Sequence, residues 1–106
     1  MNQGDIILVQ YPFSNLIDYK IRPAVIVSST KFNLTHDIWI CPITTKQHDQ
    51  NILLDDSLSK GTLDKQSYVK PITITTLDRN NILKTIGSLK KEKMLELIEQ
   101  IKKNFE

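Results

Sequence analysis

The chain has 106 residues, of which 40% are hydrophobic and 25% are charged, values that are ordinary for a soluble globular protein. Fourteen Lys and Arg against twelve Asp and Glu leave a formal net charge of +2, which permits a polyanionic partner without requiring one. The single cysteine, Cys41, excludes a disulfide within the chain, and no apolar run approaches the roughly 18 residues of a membrane span. We therefore expect one cytoplasmic domain over residues 1–106, without a signal peptide.

The first half of the chain predicts three strands separated by polar loops. The segment IILVQYPF is rich in branched and aromatic residues, which favour strands. A polar loop, SNLIDYK, leads to the second strand, RPAVIVSS, whose apolar residues 25–27 do not alternate and so predict a strand covered on both faces. IWICPITT is the third strand, and its cysteine is expected to be a buried thiol.

Shorter strands are predicted after residue 45. NILLD is a fourth strand, and residues 55–66, which are rich in polar and turn-forming types, predict a loop. SYVKPITITTLD predicts one or two strands broken near Pro71, because proline cannot donate to a strand ladder. NILKTIGSL is the last strand, expected to end near Gly87.

In the final segment, the spacing of apolar residues is that of a helix rather than of a strand. Apolar residues recur at spacings of three and four, which predicts an amphipathic helix over residues 90–104; they are Met94, Leu97, Ile98, Ile101 and Phe105. Many strands followed by one helix argue against a parallel sheet, because the crossover helices are missing. The fold class predicted is therefore mainly β: a small, mostly antiparallel barrel with a C-terminal helix.

Several common sites are absent from the sequence. Three glycines cannot make a Gly-rich phosphate loop, and no Cys or His cluster has metal-ligand spacing, so neither a metal nor another cofactor is expected. His36 and His48 stand apart in loops. What remains is Arg22, which precedes Pro23 at a strand start, and the hydroxyl pair Thr44–Thr45 at the end of the third strand.

These segments together resemble a known family. GDIILVQYPF, RPAVIVSS, CPITTK and an IGSL that leads into a terminal helix are similar, in order and spacing, to the MazF/PemK family of toxin ribonucleases, over residues 4–101. The resemblance implies an SH3-like barrel that forms a homodimer. It also implies a metal-independent endoribonuclease for single-stranded RNA, neutralised by a cognate antitoxin that lays a flexible tail over the RNA-binding surface.

The resemblance also implies roles for particular residues. The family's active-site arginine and threonine match Arg22 and Thr44, and Ser67 matches a serine of the RNA-binding surface. The chain departs from the family in two places. SNLIDYKI stands where many members carry a Gly-Ser-Glu stretch, and Thr75 stands where many carry an arginine.

The residue types suit metal-independent RNA cleavage, in which the RNA's own 2′-hydroxyl attacks the adjacent phosphate. A guanidinium donates two parallel hydrogen bonds to phosphate and stays protonated, so Arg22 can stabilise the charge that develops. Thr44 can donate to the same phosphate. Arginine cannot serve as the general base, and the alternatives stay open: His36, His48, water or the substrate itself.

Residues beside the two motifs are candidates for binding RNA. Tyr19 and Phe13 flank the loop before Arg22, where they either stack on bases or pack the loop onto the barrel. Further contacts to RNA backbone or base edges are expected from the neighbours of the motif segments; these are Lys20, Thr45, Lys46 and Gln47.

Two other function classes fit the same fold. Some relatives act on DNA gyrase rather than RNA, but such a poison has no need of Arg22 and Thr44. A β-barrel interaction module could instead bind a peptide along a strand edge. Under that hypothesis the loss of Arg22 would affect partner binding alone.

Overall fold

A computed structural model describes residues 1–12, 19–31 and 37–106. Within these ranges the chain forms eight strands and a C-terminal α-helix, α1, at Lys91–Lys103. A 3₁₀ turn at Arg79–Asn81 precedes the last strand. The strands are β1 (Asp5–Pro12), β2 (Tyr19–Ile26), β3 (Asp37–Thr44), β4 (Ile52–Leu53), β5 (Leu58–Lys60), β6 (Tyr68–Val69), β7 (Thr75–Asp78) and β8 (Ile82–Leu89). None of the helices in the described ranges is long and apolar enough to cross a membrane.

The strands form one curved sheet in the order β4-β6-β3-β2-β1-β8-β5, and the pairs between them are antiparallel. β7 lies beside the first half of β3. The N-terminal β1 is central, between β2 and β8, and the Ser88 hydroxyl donates to the Asp5 carboxylate over 3.0 Å, across 83 residues of sequence. This architecture, a mostly antiparallel half-barrel with one C-terminal helix, confirms the predicted fold class.

Apolar side chains cover both faces of the sheet. On one face, Val25 and Cys41 belong to a buried cluster that also holds the buried apolar residues of α1. On the other face, Ala24 and Ile26 belong to a second buried cluster, with Ile40 of the neighbouring strand. Residues 24–26 are fully buried, so the prediction of a strand covered on both faces is confirmed. Burying an Ile or Val side chain contributes about 1.5–3 kcal/mol, so this burial on both faces holds β2 and β3 firmly in the sheet.

The terminal helix packs through the residues that its period predicts, with one exception. Met94, Leu97 and Ile101 are buried, and Ile98 packs at the edge of the same cluster. Phe105, predicted on this face, is 82% exposed. The helix ends at Lys103, so Phe105 no longer follows the helical period that would bring it to the core.

Three other sequence predictions need correction. Residues 55–66, predicted as a loop, contain β5, whose strand character comes from pairing with β8 rather than from branched side chains. β8 continues through Gly87 to Leu89. Tyr19 and Lys20, predicted in a loop, begin β2. The rest of that loop, residues 13–18, lies outside the described ranges.

Two glycines allow a close approach that positions the segment after β5. Gly61 has a φ of +78°, in the left-handed region that favours glycine. A β-carbon there would collide with the Ile86 carbonyl oxygen, and one at Gly87 would collide with the Lys60 carbonyl oxygen. The two backbones therefore touch, and the chain that follows Gly61 starts from a fixed point on β8.

Candidate active site

The candidate site lies where the ladder between β2 and β3 ends. The ladder between β2 and β3 joins residues 24–26 to residues 40–42 only. Beyond it, Ile43 and Thr44 pair only with β6, on the other side of β3, while β2 extends back to Tyr19. The two strands therefore part, and an opening forms between them.

A cleft of about 770 Å³ occupies this opening. Four cationic side chains line it: Lys20, Arg22, Lys46 and Lys70. Hydroxyl groups line it as well, from Thr44, Thr45 and Ser67. Among the described residues that line the cleft, none is acidic. A cleft lined by one sign of charge concentrates ligands of the opposite sign, here an anion.

Arg22 lies on β2, two residues before the buried Ala24. It pairs with the buried Val9 of β1, but its own side chain is exposed. Ala24 pairs with Pro42 at the end of the ladder between β2 and β3. If the same register continued for two more residues, Arg22 would lie opposite Thr44. Side chains two apart on a strand share a face, so Arg22 and Thr44 lie on the same face of the sheet, where the strands separate.

The backbone around Thr44 is fixed by local hydrogen bonds. The Lys46 amide donates to the Thr44 hydroxyl oxygen over 3.2 Å. The Asn51 side-chain amide donates to the Lys46 carbonyl over 3.3 Å. A hydroxyl has one proton and two lone pairs. Because the Thr44 oxygen acts as acceptor in this bond, its proton can still be donated to a phosphate oxygen.

The far wall of the cleft is held in a similar way. The Lys70 amide donates to the Pro42 carbonyl over 3.0 Å, which anchors Lys70 beside β3. The Ser67 hydroxyl donates to the Lys65 carbonyl over 2.8 Å, and Ser67 is only 7% exposed. With its proton engaged in this bond, Ser67 is better suited to shaping the wall than to donating to a ligand.

The structure thus brings together six of the residues predicted from sequence: Lys20, Arg22, Thr44, Thr45, Lys46 and Ser67. Gln47 and His48 are exposed and do not belong to the described lining. The backbone of Tyr19 starts β2, but its side chain, like Phe13 and His36, lies outside what the structure describes. No group of three or more potential metal ligands is found within the described ranges.

Sequence reasoning missed Lys70, although a signal for it exists. Lys70 precedes Pro71 directly, as Arg22 precedes Pro23. Both cations stand beside a proline at a point where strand pairing changes. The apolar part of the lining, Ile21 and Ile43, was missed too, and Ile21 is 60% exposed.

Cys41 lies opposite Val25 in the ladder between β2 and β3, and its side chain is fully buried. Burial in apolar surroundings raises the pKa of its thiol from 9.0 to about 12. Since the reactive form of cysteine is the thiolate, Cys41 is a packing residue and takes no part in chemistry at neutral pH. The prediction of a buried thiol is confirmed.

Comparison with known proteins supports the same conclusion about fold. The chain is similar to the Mycobacterium tuberculosis toxin MazF-mt6, with 22% identity, 95% of each chain covered and a TM-score of 0.77. It is similar to an endoribonuclease from Mycobacterial species solved in complex with its cognate antitoxin, with 16% identity, 99% and 94% covered and a TM-score of 0.76. MazF from Deinococcus radiodurans gives 16% identity, 99% and 96% covered and a TM-score of 0.76.

At these identities the solved structures establish the fold. No curated protein matched the chain in a sequence search. The family is established separately, because residues 2–105 match the model of one family. The chain belongs to the PemK-like, MazF-like toxins of type II toxin–antitoxin systems.

Proposed function

We propose that this toxin is a sequence-selective, metal-independent endoribonuclease that cleaves single-stranded RNA, chiefly mRNA, in the cytoplasm. One observation carries the proposal: Arg22 and Thr44 line a single cationic cleft, at the point where β2 and β3 separate. An opening with four cations and no described acidic lining residue suits a polyanion. A single strand, unlike a duplex, can bring its bases as well as its phosphates to the lining of such a cleft.

In the proposed reaction, a ribose 2′-oxygen attacks the adjacent phosphorus and the bond from phosphorus to the 5′-oxygen breaks. Negative charge builds on the non-bridging oxygens, where the Arg22 guanidinium can donate two parallel hydrogen bonds. β2 fixes the Arg22 backbone before substrate arrives, and preorganised donors of this kind lower a barrier by about 3–4 kcal/mol. The Thr44 hydroxyl donates to the same phosphate and holds it in line for attack.

Two protons must move in this reaction. One leaves the 2′-hydroxyl and one is taken up by the 5′-oxygen. The described lining residues include neither an imidazole nor a carboxylate, and a guanidinium cannot accept a proton. The proposal therefore assigns removal of the 2′-proton to water or to a phosphate oxygen of the substrate, and donation to the 5′-oxygen to water or to one of the lysine ammonium groups that line the cleft.

The proposal includes two protein partners. A cognate antitoxin is expected to cover the cationic cleft, in keeping with the relative that was solved with its antitoxin. A homodimer is expected as well. Large apolar side chains that are 49–58% exposed offer surface for it; they include Ile72, Leu83 and Leu95.

The decisive experiment incubates the purified protein with a long single-stranded RNA in EDTA and maps the fragment ends. The expected products carry a 2′,3′-cyclic phosphate on one side of each cut and a 5′-hydroxyl on the other. Cuts should fall at one short sequence. Arg22→Ala serves as the inactive control, and light scattering in the same buffer should give twice the mass of the chain.

Two results would contradict the proposed activity. If wild-type protein leaves a set of RNAs of diverse sequence uncut, the enzymatic proposal fails. It fails too if Arg22→Ala cuts at the wild-type rate, because contamination or another site would then be responsible. Supercoiling of relaxed DNA by gyrase, measured in parallel, tests for a poison of that enzyme.

A further inference from the structure

A second groove, of about 460 Å³, opens next to the cleft. Three residues line both spaces, Pro23, Thr45 and Ser67, so the two are continuous around Ser67. The volume falls within the usual range of small-ligand sites. A chain molecule bound in the cleft through its phosphate can therefore extend into this groove.

The second groove differs from the cleft in its chemistry. Its wall is apolar and is made by the half-buried side chains of Leu8, Leu63 and Ile86. Its rim carries two exposed lysines, Lys65 and Lys84. Asp64 is the sole acidic residue in its described lining, so the charged side chains of the groove carry a net positive charge.

An apolar wall beneath a cationic rim has the composition of a site for one nucleotide of a single strand. Such strands are bound by laying the base against a non-polar surface while cations follow the phosphates. We propose that the second groove holds the base of the nucleotide next to the cleaved phosphate, with Lys65 and Lys84 near the phosphate that follows. This inference rests on the proposed function and adds a site that selects the flanking nucleotide.

The wall of the groove is rigid enough to select. The backbone contact between Gly61 and β8 lies two residues before Leu63 and directly beside Ile86. The bond from the Ser67 hydroxyl to the Lys65 carbonyl fixes the other end of the same segment. Leu63 and Ile86 also pack against the main core. A base that enters thus meets a surface formed in advance, which lowers the entropic cost of binding.

The test is a double-mutant cycle between protein and RNA. The probe is a short labelled oligoribonucleotide with the mapped cleavage sequence, made uncleavable by 2′-deoxy substitution at the attacking nucleotide. Two further probes lack the base on the 5′ or the 3′ side of that phosphate. Fluorescence anisotropy gives the Kd of each probe for wild type, for Leu63→Ala and for Lys91→Ala, an exposed helix lysine that serves as control.

Removing one of the two bases should weaken binding to wild type by about five- to tenfold, as expected for an apolar contact of this size. Leu63→Ala should weaken binding of the intact probe by a similar factor. It should not change the Kd of the probe that lacks the base held by the groove. Lys91→Ala should match wild type on all probes. The base that couples to Leu63 identifies which neighbour occupies the groove.

Because Leu63 contacts the core, circular dichroism must first show that Leu63→Ala is folded. If it is not, Lys84→Ala replaces it, since Lys84 is exposed. That variant should reduce the slope of log Kd against log salt by about 0.7 for the full probe. A probe trimmed to the cleavage dinucleotide should show no change.

Equal losses on intact and base-lacking probes would overturn the inference, and so would full affinity of both base-lacking probes. A groove that serves a peptide would give this same absence of coupling. Cleavage of RNA without coupling refutes this inference alone. A protein that neither binds nor cuts RNA refutes the proposed function, and this inference with it.

Discussion

The two halves of β2 differ sharply in exposure, although one strand contains both. In the outer half, Lys20, Ile21 and Arg22 are exposed and line the cleft. In the inner half, Ala24, Val25 and Ile26 are fully buried. The difference shows how an exposed cation can be held in place without being buried. The buried inner half fixes the backbone of β2. The Arg22 backbone is therefore held in place, while its side chain stays exposed to solvent.

This division predicts that stability and chemistry respond to different substitutions along one strand. Changes at exposed positions usually alter stability by no more than about 0.5 kcal/mol. Changes in a packed core leave a cavity as well as removing buried surface. The experiments below test this division by measuring the unfolding free energy, the rate of RNA cleavage, or both.

The largest effect on stability is expected from Ile26→Ala in the inner half. Truncation of a fully buried isoleucine should lower the free energy of unfolding by about 2–5 kcal/mol. Urea unfolding followed by circular dichroism measures it. Ile21→Ala, in the outer half, is the matched control and should change stability by less than about 1 kcal/mol. Equal losses would show that the two halves are not distinct.

The largest effect on chemistry is expected from Arg22→Ala. Loss of a preorganised donor should reduce kcat by about 100- to 1000-fold, with the unfolding free energy within about 0.5 kcal/mol of wild type. Arg22→Lys keeps the charge but not the paired donors, so it should regain only part of the rate. Single-turnover cleavage of a labelled RNA measures both. A large fall in stability for Arg22→Ala would mean that the arginine belongs to the structural half.

Thr44→Val should have a smaller effect. It keeps the shape of the side chain but removes the hydroxyl that we propose as a phosphate donor, and hydrogen bonds to charged groups contribute about 1.5–3 kcal/mol. Cleavage should slow by about 10- to 100-fold. Thr44→Ser keeps the hydroxyl and should cleave at close to the wild-type rate. If the valine and serine variants cleave equally fast, the hydroxyl has no role.

The smallest effect concerns Cys41, which pairs with Val25 of the inner half. In the unfolded chain its thiol loses a proton near pH 9, but in the folded protein its pKa is raised to about 12. Between these values the unfolded state binds fewer protons, so this group makes stability fall as pH rises above about 9 and has no effect below it. Urea unfolding at pH 9, 10 and 11 should show a steeper fall for wild type than for Cys41→Val.

A simpler measurement checks the same burial. At pH 8 the native protein should resist iodoacetamide, whereas the protein in urea should react at its single thiol. Rapid alkylation of the native protein would indicate that the inner half opens readily.

Several features of the site follow from local sequence. The non-alternating run at residues 25–27 predicts a strand covered on both faces. Arg22 next to Pro23 predicts a cation on that strand, although the strand begins at Tyr19 rather than at Arg22. The apolar period of the final segment predicts a helix, found at Lys91–Lys103. These predictions succeed because each depends on neighbours within a few residues.

Other features depend on contacts between distant segments. The ladder between β2 and β3 stops at Pro42, and no residue near Thr44 predicts that the two strands part there. β5 has little strand preference of its own and exists because β8 offers an edge. Lys70 reaches the cleft only through the bond from its amide to Pro42. The cationic cleft could therefore be anticipated in part, while its full lining required the tertiary fold.

The central position of β1 has a consequence for when this toxin folds during its synthesis. β1 is made first, yet one of its two neighbours is β8, and its Asp5 side chain accepts a hydrogen bond from Ser88. Contacts so far apart in sequence form late, because a long loop must close before they contribute. We therefore expect the nascent chain to stay unfinished while its last strand and helix are inside the ribosome. Under the proposed function, a copy of this toxin cannot cleave RNA before β8 has left the ribosome and paired with β1.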